Sequence, residues 1–188
     1  MGKIYYVMGK SASGKDTIYK RLVKKLPELG TVRMYTTRPI RDGETNGVEY
    51  IFTDEKQLQA MKDAGKVIEC RTYDTIYGPW SYFTADDGQI DLGSCSYLMM
   101  GTLESYEGLC KYYGAEVMVP LYIHVEDGVR LQRALNRENT QKNPKYAEMC
   151  RRFLADEKDF SKERLDQCGI RKQYENTGLE PCIEEIIK

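Results

Sequence analysis

The chain alternates short apolar runs with amphipathic ones. Ile4-Tyr5-Tyr6-Val7-Met8 is a continuous apolar run, so residues 3–8 are expected as a buried strand. From position 15 the period changes. Ile18, Leu22, Val23 and Leu26 fall on one helical face, and Pro27 ends that helix at about Leu26. A strand is expected at 31–35, a polar loop marked by proline and glycine at 36–49, and a strand at about 49–53. Asp54 has the chemistry of an N-cap for a helix over about 55–64 that Gly65 closes. Two further β-segments follow, at 66–72 and 75–84.

The strand–helix alternation then resumes. Residues 95–100 read as an apolar strand and 103–113 as a helix. Glu116 to Val125 is the longest β-run, with Pro120 interrupting it. Helices are expected at 127–136 and 145–159, separated by the polar stretch Asn136 to Pro144. A short strand near 170–174 and a helix at about 178–187 complete the chain. This order predicts an α/β fold with a parallel sheet covered by helices on both faces. The β-rich segment 32–84, with its single helix, reads as a small mixed α/β lobe inserted into that core.

Gly9-Lys-Ser-Ala-Ser-Gly14-Lys15 joins the first strand to the first helix with the spacing G-x-x-x-x-G-K of a phosphate-binding loop. Its glycines let successive N–H groups turn toward one anion, and the helix start adds unpaired donors and a positive dipole end. Lys15 adds a full charge for the outer phosphates. The position after the lysine, where a serine or threonine hydroxyl usually ligates magnesium, is Asp16, with Thr17 next. A carboxylate is a hard oxygen ligand for the same ion, so Asp16 and Thr17 are the candidate metal residues.

Composition narrows the function classes. With 188 residues there is material for one sizeable domain, and 28 basic against 29 acidic residues leave no excess of positive charge for nucleic acid. No run is long enough to span a bilayer and no signal peptide is visible, which leads to the expectation of a cytoplasmic protein. The six cysteines lack any C-x-x-C pair, so reduced thiols are expected, those in apolar runs as small core residues. The single histidine, His124, cannot build a metal cage and is read as structural.

Thr36-Thr37-Arg38-Pro39-Ile40-Arg41-Asp42-Gly43-Glu44 precedes Asn46-Gly47-Val48-Glu49-Tyr50. Two arginines three apart, with hydroxyls before and a phenol after, suit a phosphate monoester. The same arginines could instead pair with Asp42, Glu44 or Glu49 as an ordinary surface loop.

With the loop at 9–17, this segment resembles guanylate kinase, whose pattern T-T-R-x-x-R-x-G-E-x-x-G-x-x-Y it matches. Lys66-Val67-Ile68-Glu69 followed by Tyr77-Gly78 is similar to another stretch of that family. The polar segment around Arg133 and Arg137 resembles its mobile lid, and Arg151-Arg152 through Asp156 the helix behind it. The resemblance implies one guanylate-kinase-like domain over 1–188: a core of 1–31 and 85–188, a monophosphate-binding lobe at 32–84, and a lid at about 136–148.

It also implies an ATP-dependent transfer to GMP in purine nucleotide metabolism, with Mg2+ accompanying ATP, by a monomer or homodimer without nucleic-acid or membrane partners. Residues Gly9, Lys10, Ser11, Ala12, Ser13, Gly14, Lys15, Asp16 and Thr17, with Arg133 and Asn176, would hold ATP. Arg38, Arg41, Tyr50, Glu69 and Tyr77 would hold the acceptor, Glu69 accepting from guanine N1–H and the amino group. Lys15, Arg41, Arg137 and Arg152 would neutralise charge during transfer.

Met34, Pro79 and Trp80 stand where the family carries hydroxyl or small residues, and Tyr97-Leu98-Met99-Met100-Gly101-Thr102 replaces an Asp-x-Asp strand. Gly-Lys-Asp at 14–16 and the stretch Leu98 to Thr102 resemble ribose 1,5-bisphosphate kinase, which keeps that enzyme, or another monophosphate kinase of the fold, as an alternative. A non-catalytic, nucleotide- or phosphoprotein-binding guanylate-kinase-like domain is the alternative of another class.

Overall fold

The computed structural model describes residues 2–75 and 77–188. Position 76, within the β-segment expected at 75–84, lies outside the described residues. The elements in chain order are β1 (Ile4–Met8), α1 (Lys15–Lys25), β2 (Gly30–Thr31), β3 (Tyr35–Thr36), β4 (Ile51–Phe52), α2 (Glu55–Asp63), β5 (Val67–Thr75) and β6 (Gly78–Ala85). They continue with β7 (Tyr97–Met100), α3 (Leu103–Tyr113), β8 (Met118–His124), α4 (Asp127–Asn139), α5 (Tyr146–Asp159), α6 (Lys162–Gln167), β9 (Gln173–Glu175) and α7 (Leu179–Ile187). One sheet has the order β2-β7-β1-β8-β9 and the other β4-β3-β6-β5. The pairs β2–β7 and β8–β9 are parallel, as strand–helix alternation requires.

The chain divides into two compact units. The first comprises the residues up to Ile4, Glu28–Leu98 and Glu104–Met118. It contains the four-stranded sheet, in which β3 pairs parallel with β4 and antiparallel with β6, and β5 pairs antiparallel with β6. The core beneath that sheet is Leu58, Phe83 and Ala85, packed by Tyr35, Met61, Val67 and Cys70. Asp54 caps α2 as its chemistry predicts, its side chain accepting from Gln57 N–H at 2.7 Å.

The second unit comprises Tyr5–Pro27, Met99–Leu103 and Val119–Lys188. Tyr6, Val7, Met8, Ile18, Leu22 and Ile123 are fully buried there. His124 Nδ1 lies 2.8 Å from Glu175 Oε1 across the β8–β9 ladder.

Two expectations need correction, and one helix is an addition. The single strand at 31–35 is two strands of different sheets, β2 and β3, because the chain leaves β7's side at Thr31 and re-enters beside β6 at Tyr35. Pro120 does not interrupt β8. Pairing with β9 begins at Tyr122, so the missing N–H at Pro120 removes no bond from that ladder. Helix α6 is an addition: Ser161 caps it through Arg164 N–H, a signal submerged in the charged run around it. The six cysteines are free thiols, but only Cys182 is buried and Cys150 is exposed.

Candidate functional site

The loop after β1 is built by close approach. A Cβ on Gly9 would lie 2.5 Å from Ile123 O and 2.9 Å from Ser13 Oγ. Ala12 and Gly14 both adopt left-handed backbone, at φ 61° and 86°. A left-handed non-glycine residue is uncommon, and alternation of such residues turns neighbouring N–H groups to one side, the geometry of an anion nest. Gly14 then caps α1 with no side-chain bond to the first-turn amides, which leaves those donors to a ligand.

A second layer holds this loop. Asn176 is buried; its side-chain amide donates to Ser13 O at 2.8 Å, and its own N–H donates to His124 O at 2.9 Å. Arg133 Nη2 donates to Asn176 O at 3.2 Å. The two residues expected to hold ATP together with the loop are thus linked, and Asn176 braces the loop backbone. Ser13 Oγ is buried and has no hydrogen-bond partner among the described residues.

On the loop's first turn, Ser11 N–H donates to Asp156 Oδ2 at 2.7 Å, and Lys10 Nζ donates to Glu157 Oε1 at 2.6 Å. Between them sits Arg130, its side chain 1% exposed. Its guanidinium donates to Asp127 Oδ1 at 2.7 and 3.0 Å, Glu157 Oε1 at 2.9 Å, Ser11 O at 3.1 Å and Asp156 Oδ2 at 3.4 Å. It also lies 4.7 Å from the centre of the Phe153 ring. Burial acts to raise the Asp127 carboxyl, but the hydrogen bonds and charges of Arg130 and Lys10 outweigh it and hold it below its ordinary value. Sequence reasoning passed over Arg130. The available signal was Asp127 three residues earlier, on the same helical face.

Lys15 begins α1, with its Nζ 3.4 Å from Asp16 Oδ2, whose side chain is 68% exposed. Thr17 is also exposed on that first turn. A reachable carboxylate and hydroxyl are hard oxygen donors, and they fit a magnesium ion that keeps waters and phosphate oxygens among its ligands. Among the described residues no cluster of three or more His, Cys, Asp or Glu forms a protein-only cage. Of the two other arginines expected here, Arg152 Nε donates to Glu148 Oε1 at 2.8 Å, while Arg137 is exposed in the last turn of α4. The segment expected as a lid is the end of α4, a connection at 140–145 and the start of α5.

In the first unit Arg38 is buried, with 3% of its side chain exposed, and forks onto Glu44 at 2.8 and 3.0 Å. Its guanidinium carbon lies 5.7 Å from the Tyr50 ring centre and 5.4 Å from that of Phe52. Burial opposes the Arg38 charge, yet the hydrogen bond to Glu44 and the nearby charges raise its pKa overall; the same bond lowers that of Glu44. Glu44 Oε2 also accepts from Arg41 N–H at 2.8 Å, so one carboxylate ties both arginines while the Arg41 side chain stays exposed. The pairing with Glu44 foreseen for a surface loop therefore exists, but around a buried arginine.

Glu69 is buried on β5. Thr84 Oγ1 donates to its Oε1 at 2.7 Å, and Arg71 Nε donates to its Oε2 at 3.0 Å. Gly108 of α3 lies against it, so close that a Cβ there would be 2.5 Å from Glu69 Cβ. Tyr77 is exposed and stacks on Trp80, with ring centres 6.0 Å apart. Arg71 and Thr84 were missed in sequence. Arg71 was accessible from the strand period, since residues two apart share a face.

The guanylate kinase family model matches residues 1–81. A guanylate kinase of Legionella pneumophila is 37% identical over 78 residues, covering 41% of this chain and 37% of its own. One from Salinibacter ruber is 25% identical over 185 residues, covering 94% and 89%. The chain spans little more than a third of the length of several curated relatives that it matches, including those of Legionella and Coxiella burnetii, at 37% in each. A crystal structure of guanylate kinase from Anaplasma phagocytophilum superposes with a TM-score of 0.60 at 20% identity, covering 98% of this chain and 82% of that one.

Proposed function

We propose that this chain, supported as a member of the guanylate kinase family by its sequence match and its fold, transfers the γ-phosphoryl group of ATP to GMP. The observation that carries the reading is the loop at 9–17, with left-handed Ala12 and Gly14 opening onto an uncapped α1 that begins at Lys15. Its amides and Lys15 would bind the donor phosphates, and Asp16 and Thr17 would hold the accompanying magnesium. When bound, that ion supplies positive charge among the phosphate oxygens.

Arg38, Arg41 and Tyr50 would bind the acceptor phosphate, with Arg38 fixed by Glu44 and Arg41 free to swing at the surface. Glu69, held in one orientation by Thr84 and Arg71, would accept from guanine N1–H and the amino group. Tyr77 would add a contact to the acceptor. Arg137 and Arg152 would supply charge to the phosphoryl group in flight, Arg152 leaving Glu148 to do so. Arg133 and Asn176 would serve the donor by bracing the loop beneath its phosphates. In-line transfer needs alignment and positive charge more than a base, and exclusion of water protects the phosphoryl group from hydrolysis.

The test is a coupled ADP-release assay across GMP, dGMP, AMP, UMP, CMP and ribose 1,5-bisphosphate. GMP turnover with Glu69→Ala raising the GMP KM far more than the ATP KM supports the reading. Equal loss for every acceptor refutes the base-reading role of Glu69, and no turnover with any acceptor refutes the kinase.

A further inference from the structure

The least explained charge in the first unit is Arg71. Its side chain and that of Glu69 are each only 6% exposed. A buried ion pair carries a desolvation penalty that its own attraction often fails to offset, so it is a poor device for stability alone. The pair is also asymmetric in its surroundings. Nε donates to Glu69 Oε2 at 3.0 Å, whereas Nη2 lies 3.5 Å from Glu69 Oε1 and 3.8 Å from Met34 Sδ. A thioether is a weak acceptor on an unbranched, adaptable side chain. Nε is thus anchored on Glu69, and the contacts of Nη2 include the softest acceptor a protein offers.

Resting on the acceptor reading above, we infer that Arg71 is a second base-reading residue, which donates from Nη2 to the 6-oxo group of the acceptor's purine while Glu69 accepts from its N1–H and amino group. A donor beside an acceptor on one short edge complements few bases. Guanine offers O6, N1–H and the 2-amino group in that order, and each meets the opposite partner. Adenine reverses the first two positions, with a donor at C6 and an acceptor at N1. Cytosine reverses them likewise. Uracil supplies the first two but turns a carbonyl toward the carboxylate at the third. Met34 would give way because the contact it loses is weak and its side chain can refold about its torsions.

The experiment deletes the same hydrogen bond from each side. GMP is compared with 6-thio-GMP, which keeps N1–H and the amino group but replaces O6 by a poor acceptor, in the wild type, Arg71→Met and Arg71→Lys. Both steady-state ADP release and calorimetric binding without ATP are measured. In the wild type, the acceptor KM for 6-thio-GMP is expected to be about tenfold or more above that for GMP, with kcat little changed. In Arg71→Met the GMP KM rises about tenfold or more and the ratio between the two acceptors falls to near one. Arg71→Lys keeps a donor and retains part of the ratio.

An unchanged ratio in Arg71→Met overturns the inference, since a merely structural arginine would weaken both acceptors alike. If Arg71→Met does not fold, as judged by its unfolding curve, the same criterion passes to Arg71→Lys, where a full wild-type ratio is the overturning result. Wild-type binding of GMP with no preference over 6-thio-GMP overturns the role of Arg71 alone. No binding of either nucleotide overturns the acceptor reading with it.

Discussion

Asp156 reaches into the loop at 9–17 and takes the N–H of Ser11 on its Oδ2 at 2.7 Å. A carboxylate beside an anion loop is tolerable here because the Arg130 guanidinium lies 3.4 Å from the same oxygen. Asp156→Ala leaves Ser11 N–H and Arg130 short of a partner, and we expect a loss of about 2 kcal/mol in urea unfolding. Asp156→Asn keeps an acceptor for Ser11 and should lose less than half as much. Arg130→Met leaves Asp127, Asp156 and Glu157 clustered around Lys10 without their central cation and should cost about 3 kcal/mol or more. Equal losses in all three variants would mean the network acts only as filling.

Gly14 and Asn176 form a coupled pair. A Cβ at Gly14 would lie 2.5 Å from Asn176 Nδ2, at a backbone φ of 86° that alanine resists. Gly14→Ala and Asn176→Ala are each expected to destabilise by about 1–3 kcal/mol. The double variant should lose less than the sum, because removing the amide relieves the clash. Strict additivity in unfolding experiments would show that the clash is relieved some other way.

At the proposed donor site Lys15→Ala should lower kcat by about 100-fold or more with the unfolding curve unchanged. Asp16→Asn should move the magnesium titration of ADP release to higher concentrations. A titration that overlays the wild type removes Asp16 from the metal.

The two arginines proposed for the acceptor phosphate, Arg38 and Arg41, should separate by burial. Arg38→Ala leaves Glu44 without its main partner in a half-buried position and should cost about 2 kcal/mol of stability. Arg41→Ala, at the surface, should change stability by about 0.5 kcal/mol or less while raising the acceptor KM about tenfold or more. An unchanged acceptor KM in Arg41→Ala removes it from the phosphate pocket.

Helix α5 carries an acid-sensitive cluster. Glu148 accepts from Arg151 at 2.7 and 2.8 Å and from Arg152 at 2.8 Å, and those bonds, Arg151 first, pull its carboxyl from 4.5 down to about 2. A lowered folded-state pKa adds stability above pH 4.5 that is lost as pH falls toward about 2. The side chains are exposed, so the effect is small and screened by salt. Melting temperatures of wild type and Glu148→Gln should converge between those limits. A constant gap down to the lowest pH would refute the assignment.

The sequence was most readable where one local signal sufficed. The loop at 9–17 follows from glycine spacing, and Asp54 from N-cap chemistry next to a helical period. It was least readable where distant charges meet. Lys10, Asp127, Arg130, Asp156 and Glu157 converge although up to 147 positions separate the paired residues, and the last four taken singly look like ordinary charged helix residues. The break between β2 and β3 was also invisible, because an apolar run reports burial and not which sheet provides it. Arg71 was the avoidable omission, since strand periodicity places it on the face of Glu69.

Gly108 occupies the middle of α3, where glycine weakens a helix by about 1 kcal/mol relative to alanine. The commonest route to a sturdier helix is closed at this position, because one added methyl group would collide with the stem of Glu69. Random drift that improves the helix would therefore disturb the proposed choice of nucleobase, and descendants that keep that preference are expected to keep the weaker helix.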